Sequence, residues 1–175
     1  MRSDILNTSS GTYRELDKNI TLHTATTALD ATSVDADHKI FTSGVLAAAI
    51  TLPQATAANA GMVIEIYITA AVASDATAMF GFADAGSTVF NGSLVTCISP
   101  GSSAKEATSV TITTNAKRVV LDSDAVATAG GGIGSWYRCV YQELNKVFVY
   151  GSGIVTGTSA SAPGAAHATT TGVDG

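Results

Sequence analysis

Charged side chains are scarce in this chain: Asp, Glu, Lys and Arg together make up 13% of its 175 residues, about half the share that a soluble domain ordinarily carries. Ser, Thr, Ala and Gly take their places, giving a surface that loses little hydration when another chain covers it. The balance that remains is acidic, −5 at pH 7, which opposes attraction to phosphate backbones and anionic lipid. No nucleic-acid or membrane partner is expected. Aromatic residues are also few, at 6%, so the hydrophobic fraction of 46% rests largely on alanine and implies a thin core. The longest apolar run, Val45 to Ile50, falls far short of the roughly 20 residues of a membrane span. The first residues hold no apolar stretch of signal-peptide length, and a chain made in the cytoplasm and kept in soluble form is expected. Two cysteines, Cys97 and Cys139, make no disulfide framework in a chain of this length, and buried, reduced thiols are expected.

Catalytic constellations are missing too. The glycine run at 130–134 lacks the Lys-Ser/Thr ending of a phosphate loop, and Gly151-Ser152-Gly153 reaches Thr156 where a dinucleotide fingerprint needs its third glycine. No Gly-x-Ser-x-Gly elbow occurs to activate a serine. Asp35, Asp37 and His38 follow no metal-ligand template, and one strand would point the two carboxylates away from the imidazole. Asp122 and Asp124 lie in a Gly-rich stretch without the twelve-residue pattern of a calcium loop. Asn-x-Ser/Thr triplets at Asn7, Asn19 and Asn91 are chance matches in so Ser/Thr-rich a chain. Neither an enzyme nor a cofactor or metal site is expected.

What is present is two-residue alternation. Met62, Ile64, Ile66 and Ile68 fall on one face of a strand and Val63, Glu65, Tyr67 and Thr69 on the other, the pattern of a half-buried sheet. Before it, Ser33 to Thr42 and Ala47 to Leu52 read as strands. Pro53 and Gly61 bracket a short Ala-rich crossover of one or two helical turns. Strands follow near Ala78 to Ala83, at Val89-Phe90, at Leu94 to Ile98, over Val110 to Thr113, Arg118 to Leu121 and Trp136 to Gln142, and at Val147 to Tyr150. Asn91-Gly92 is the strongest short-range hairpin signal. Asn115-Ala116 and Leu144 to Lys146 read as turns, with Gly151-Ser152-Gly153 closing the domain. The expected fold is all-β, a single β-sandwich or a jelly-roll or barrel-like domain of about eight strands.

Residues 1–30 read as an extended N-terminal arm, 31–155 as the β-domain and 156–175 as an Ala/Gly/Ser/Thr-rich tail that composition alone would leave disordered. Arm residues Ile5, Leu6, Tyr13, Leu16, Ile20 and Leu22 are spaced to lie as a strap over a neighbouring surface, and both ends are expected to gain order from adjoining subunits. The expected core comprises Ile50, Leu52, Met62, Ile64, Ile66, Ile68, Val110, Ile112 and Trp136. Trp136 beside Tyr137 suits either core sealing or a recognition platform, the core being the expected use. In a receptor-binding reading, Tyr137 and Tyr141 would make the contact.

The order of elements resembles small structural proteins of tailed bacteriophages, capsid decoration or cement proteins above all. The resemblance covers roughly residues 31–153. It is carried by Asp37-His38-Lys39-Ile40-Phe41, by Ile50-Thr51-Leu52-Pro53 with its Ala-rich run to Gly61, by the alternating strand after it, by Asn91-Gly92, and by the closing Val149-Tyr150-Gly151. It departs from the pattern at Phe148 or Tyr150, where a tryptophan is expected in the last strand. The resemblance implies a homotrimer on the outer capsid surface of a virion, holding neighbouring copies of the major capsid protein together. The rival implication is a tail-fibre or spike module that contacts a host receptor or glycan.

Overall fold

The computed structural model describes residues 6–7, 13–14, 20–23, 38–42, 49–70, 79–83, 85–98, 107–112, 115–121, 128–156 and 168–169. Fourteen strands follow one another along them. They are β1 (Leu6–Asn7), β2 (Tyr13–Arg14), β3 (Ile20–His23), β4 (His38–Thr42), β5 (Ala49–Thr51), β6 (Val63–Tyr67) and β7 (Met79–Gly81). The second half supplies β8 (Val89–Ile98), β9 (Ala107–Thr111), β10 (Arg118–Val120), β11 (Thr128–Gly130), β12 (Trp136–Glu143), β13 (Lys146–Thr156) and β14 (Ala168–Thr169). The protein is all-β, and a 3-10 turn at Ala57–Asn59 is its only helical element among the described residues.

Alternation decides which face of each strand turns inward. The larger sheet runs β3-β4-β6-β12-β13-β8-β9, and β11 joins it by pairing with β13. Register aligns Ile40 with Ile66, Ile66 with Tyr137, Tyr137 with Gly151, and Gly151 with Leu94, so one inward row crosses five strands. The next row carries Ile64, Cys139 and Val149. Across from this face lies the smaller sheet, β14-β10-β7-β5. Its Ile50, Phe80, Phe82 and Val119 join the inward rows in one buried cluster. Phe82 stacks at 4.5 Å on Phe90, and Phe80 lies 5.0 Å from the Tyr137 ring, so aromatic contacts bind the two layers despite the low aromatic content.

The Ile-Thr-Leu-Pro segment closes one end of this sandwich. After β5, the Leu52 amide donates to the Gly81 carbonyl, and the Tyr141 hydroxyl reaches across to donate to the Pro53 carbonyl at 2.9 Å. Buried Thr88 accepts from the Ala55 amide at 2.8 Å, and the Asn145 amide donates to the Ala55 carbonyl. Asn59 ties the 3-10 turn by accepting from the Thr56 amide and donating to the Gln54 carbonyl.

Three sequence expectations need correction. Asn91-Gly92 makes no hairpin: both residues sit inside β8, which runs parallel to β13 and antiparallel to β9. Gly92 is there because φ is +129° and a Cβ would overlap the Val149 carbonyl oxygen, a close approach that no side chain permits. Gly151-Ser152-Gly153 does not end the domain either, since β13 continues to Thr156 alongside β8 and β11. Trp136, expected in the core, is 38% exposed, because the alternation that buries Tyr137, Cys139 and Tyr141 turns it outward.

The Gly130–Ser135 stretch is a kink rather than a free loop. Along β13, β11 pairs with Ile154 to Thr156 and β12 with Lys146 to Ser152, so the two lie end to end on one flank. Between them the Ser135 hydroxyl donates to the Gly132 carbonyl at 2.6 Å and accepts from the Ile154 amide at 2.8 Å.

Candidate functional site

The outward side of β6, β12 and β13 is where side chains with binding chemistry gather. Register sets Trp136 between Tyr67 and Ser152, Arg138 between Glu65 and Tyr150, and Val140 between Val63 and Phe148. Trp136 and Tyr150 stand diagonally, ring centroids 6.2 Å apart and planes at 88°, forming a two-walled corner. Phe148, two residues along β13, extends it with its ring 5.8 Å from Tyr150. Trp136 is 38% exposed and Phe148 36%, an unusual use of large rings in a chain with so few.

A charged cluster borders the corner. Arg138 Nε lies 3.5 Å from Glu65 Oε1, a distance of ion pairing without a hydrogen bond, and the Tyr67 hydroxyl donates to Glu65 Oε2 at 3.0 Å. Burial, then the bond to Glu65 and its negative charge, raise the Tyr67 phenol above its ordinary pKa, while Lys39 and Arg138 pull it the other way. Tyr67 therefore remains a neutral donor at physiological pH. The arrangement sets aromatic faces, a carboxylate and a guanidinium side by side on one sheet face.

Tyr137 and Tyr141, the contact residues of the alternative receptor-binding reading, are 1% exposed and belong to the core. Their hydroxyls are spent inside, on the Gly130 and Pro53 carbonyls. Burial pushes both phenols, and the Cys139 thiol between them, far above their ordinary values. Ile50, Leu52, Met62, Ile64, Ile66, Ile68 and Ile112 all lie in the buried cluster, and Val110 pairs through its backbone with Leu94. Of the arm residues, Leu6 and Tyr13 lie in the small β1-β2 pairing, with Leu6 opposite Arg14 and Tyr13 opposite Asn7. Ile20 and Leu22 pair with Lys39 and Phe41 of the same chain, so β3 is a sheet strand. Ile5 and Leu16 lie outside the described residues, as do Asp35, Asp37, Asp122 and Asp124. Among the described residues no three His, Cys, Asp or Glu side chains gather closely enough to hold a metal ion. The sequence reading gives Phe148, Tyr150, Arg138 and Glu65 no site role, although the stripe Tyr137, Cys139, Tyr141 implies an opposite stripe of Trp136 and Arg138.

Comparison with known protein families, curated proteins and solved structures finds no match to this chain.

Proposed function

We propose that this chain is a non-enzymatic structural protein of a tailed-bacteriophage virion, which decorates the outer surface of an icosahedral head and stabilises it by bridging major capsid protein subunits. The working unit is a homotrimer. The observation that carries this reading is how the larger sheet ends among the described residues, with β3 on one side and β9 on the other. Their sequences, Ile-Thr-Leu-His and Ala-Thr-Ser-Val-Thr, hold no Lys, Arg, Asp, Glu or Pro, the residues that keep an edge from adding another strand. A contact between unlike ends of one sheet is heterologous, and three such contacts close a ring. The sparse surface charge and the resemblance in element order support the same reading, although the Asn91-Gly92 part of that resemblance plays a different structural role here.

Copy number in purified particles tests it. Hundreds of copies per virion are expected, together with heads that burst at lower temperature once the protein is stripped off; stripped heads of undiminished heat resistance end the proposal.

A second reading, a tail-fibre or spike module that contacts a host-surface receptor or glycan, is favoured by one observation: the exposed Trp136–Tyr150 corner beside Arg138. A handful of copies per particle would select it.

A further inference from the structure

We propose that the Trp136–Tyr150 corner binds a carboxylate-bearing sugar, an acidic glycan of the uronate class, with Arg138 taking the carboxylate. The inference deepens the receptor reading and rests on it. Two rings at 88° with centroids 6.2 Å apart present one face and one wall. A pyranose has an apolar face of C–H groups and a rim of hydroxyls, so it can stack on one ring and abut the other. Aromatic side chains with a polar tip suit such a surface, apolar in the middle and wet at its edge.

Charge selects the acidic sugar. Arg138 stands opposite Tyr150 in the register, one step from the Trp136 row. Its side chain is 41% exposed, whereas Nε is closed to solvent, so the exposure belongs to the rest of the side chain. A guanidinium matches a carboxylate in shape and charge better than any other side chain does. Lys39, Glu65 and Arg138 occupy one cross-strand row. In that row Glu65 is already held by the Tyr67 hydroxyl and Arg138.

Other occupants fit less well. An acidic protein would need about 800 Å² on each side, whereas the ring corner is the size of one or two sugar units. The corner is also preorganised, since Trp136 and Tyr150 stand on paired interior strands and Tyr137 beneath them is locked in the core.

Trp136 is the only tryptophan, so intrinsic fluorescence of the full chain reads the corner directly. Trigalacturonate, maltotriose and triglutamate are the probes, the last carrying carboxylates without a ring. Trigalacturonate is expected to change the emission with a dissociation constant of about 1 mM or tighter, maltotriose to bind at least about tenfold more weakly, and triglutamate to do nothing. R138Q should lose about tenfold for trigalacturonate and nothing for maltotriose, with R138K in between because it keeps charge but not the fork. Y150A should lose both, its unchanged urea midpoint showing that the fold is intact. No response to trigalacturonate at about 10 mM, an equal response to triglutamate, or an R138Q variant that binds as well as the parent overturns the proposal. Adhesion to host cells that persists undiminished in R138Q overturns the sugar assignment while leaving a receptor role standing.

Discussion

At the scale of single residues, Tyr137 shows how a thin core is made to hold. Its ring lies against Phe80, its hydroxyl donates to the Gly130 carbonyl at 2.7 Å, and its cross-strand partner is a glycine. A Cβ at Gly151 would overlap the Trp136 carbonyl and stand 2.8 Å from Tyr137 Cα, backbone atoms that cannot swing aside. Gly151→Ala should therefore cost about 2–3 kcal/mol in urea unfolding, in the range of core overpacking. Gly61→Ala, where φ is +88° but nothing lies within 4 Å of the new methyl, should cost only the conformational strain of about 1 kcal/mol. Equal losses would contradict this reading of Gly151. The buried protons also set a pH limit. Burial raises Tyr137 and Tyr141 above their ordinary 10.0 and Cys139 above its ordinary 9.0. In alkali the unfolded chain gives up these protons while the native state keeps them, so stability falls as pH rises. The contribution is complete below pH 9 and declines above it, by about 1.4 kcal/mol per pH unit for each group that has titrated in the unfolded chain. Urea midpoints between pH 8 and pH 11 should show that decline. The Tyr137→Phe/Tyr141→Phe double variant should lose most of the slope above pH 10, and a flat profile in the parent would refute the assignment.

At the scale of elements, the kink between β11 and β12 is held by backbone hydrogen bonds and by one hydroxyl. Ser135 is 1% exposed and serves both the Gly132 carbonyl and the Ile154 amide. Ser135→Ala removes both hydroxyl bonds, while the Gly132 carbonyl still accepts from the Ser135 amide, and should cost about 1 kcal/mol, the net worth of a typical hydrogen bond. Hydrogen exchange should show faster exchange at Ile154, while Val147 and Val149, in the β12–β13 ladder, keep their protection. Strands such as β6, β12 and the first half of β13 are legible in the sequence because one buried face writes strict alternation into it. The β12–β13 turn is legible as well, since Asn145 adopts φ 62° and asparagine tolerates that conformation. Legibility ends where glycine serves approach instead of turning. Gly92, Gly151 and Gly153 look like chain reversals, yet each lies within a strand that passes close to a neighbour's backbone or to the Tyr137 hydroxyl. Parallel pairing of β8 with β13 is likewise invisible locally, because its partners are more than fifty residues apart and no turn records the register. The outer face is hidden for a different reason: the size of Trp136 favours the core, whereas its parity with Tyr137 turns it outward.

At the scale of the whole molecule, the ends of the larger sheet among the described residues, β3 and β9, bear on the assembly proposed above. Two ends of equal character would invite unlimited addition; a ring limits it, since a closed set of heterologous contacts leaves no free edge. Ser109 lies in the middle of β9, opposite Val95, and its side chain is exposed. Lysine there keeps the strand pairing of the monomer while setting a charge on the edge, the device by which sheet proteins prevent such contacts. Ser109→Lys should thus change the stability of the isolated chain by no more than about 0.5 kcal/mol, as exposed substitutions generally do. Its effect should fall on assembly. Sedimentation of the parent at micromolar concentration is expected to show a trimer and that of the variant a monomer, and particles assembled with the variant should lose the protein on mild treatment. The same logic fixes where an arm deletion can be made. Removing residues 1–30 takes away β3 and bares β4, so a loss of binding after that cut would confuse the strap with the sheet. Ending the deletion at Lys18 spares β3; occupancy should then fall while the urea midpoint stays put. Were occupancy unchanged by the shorter deletion and abolished by Ser109→Lys, the grip on neighbouring molecules would belong to the sheet edges alone.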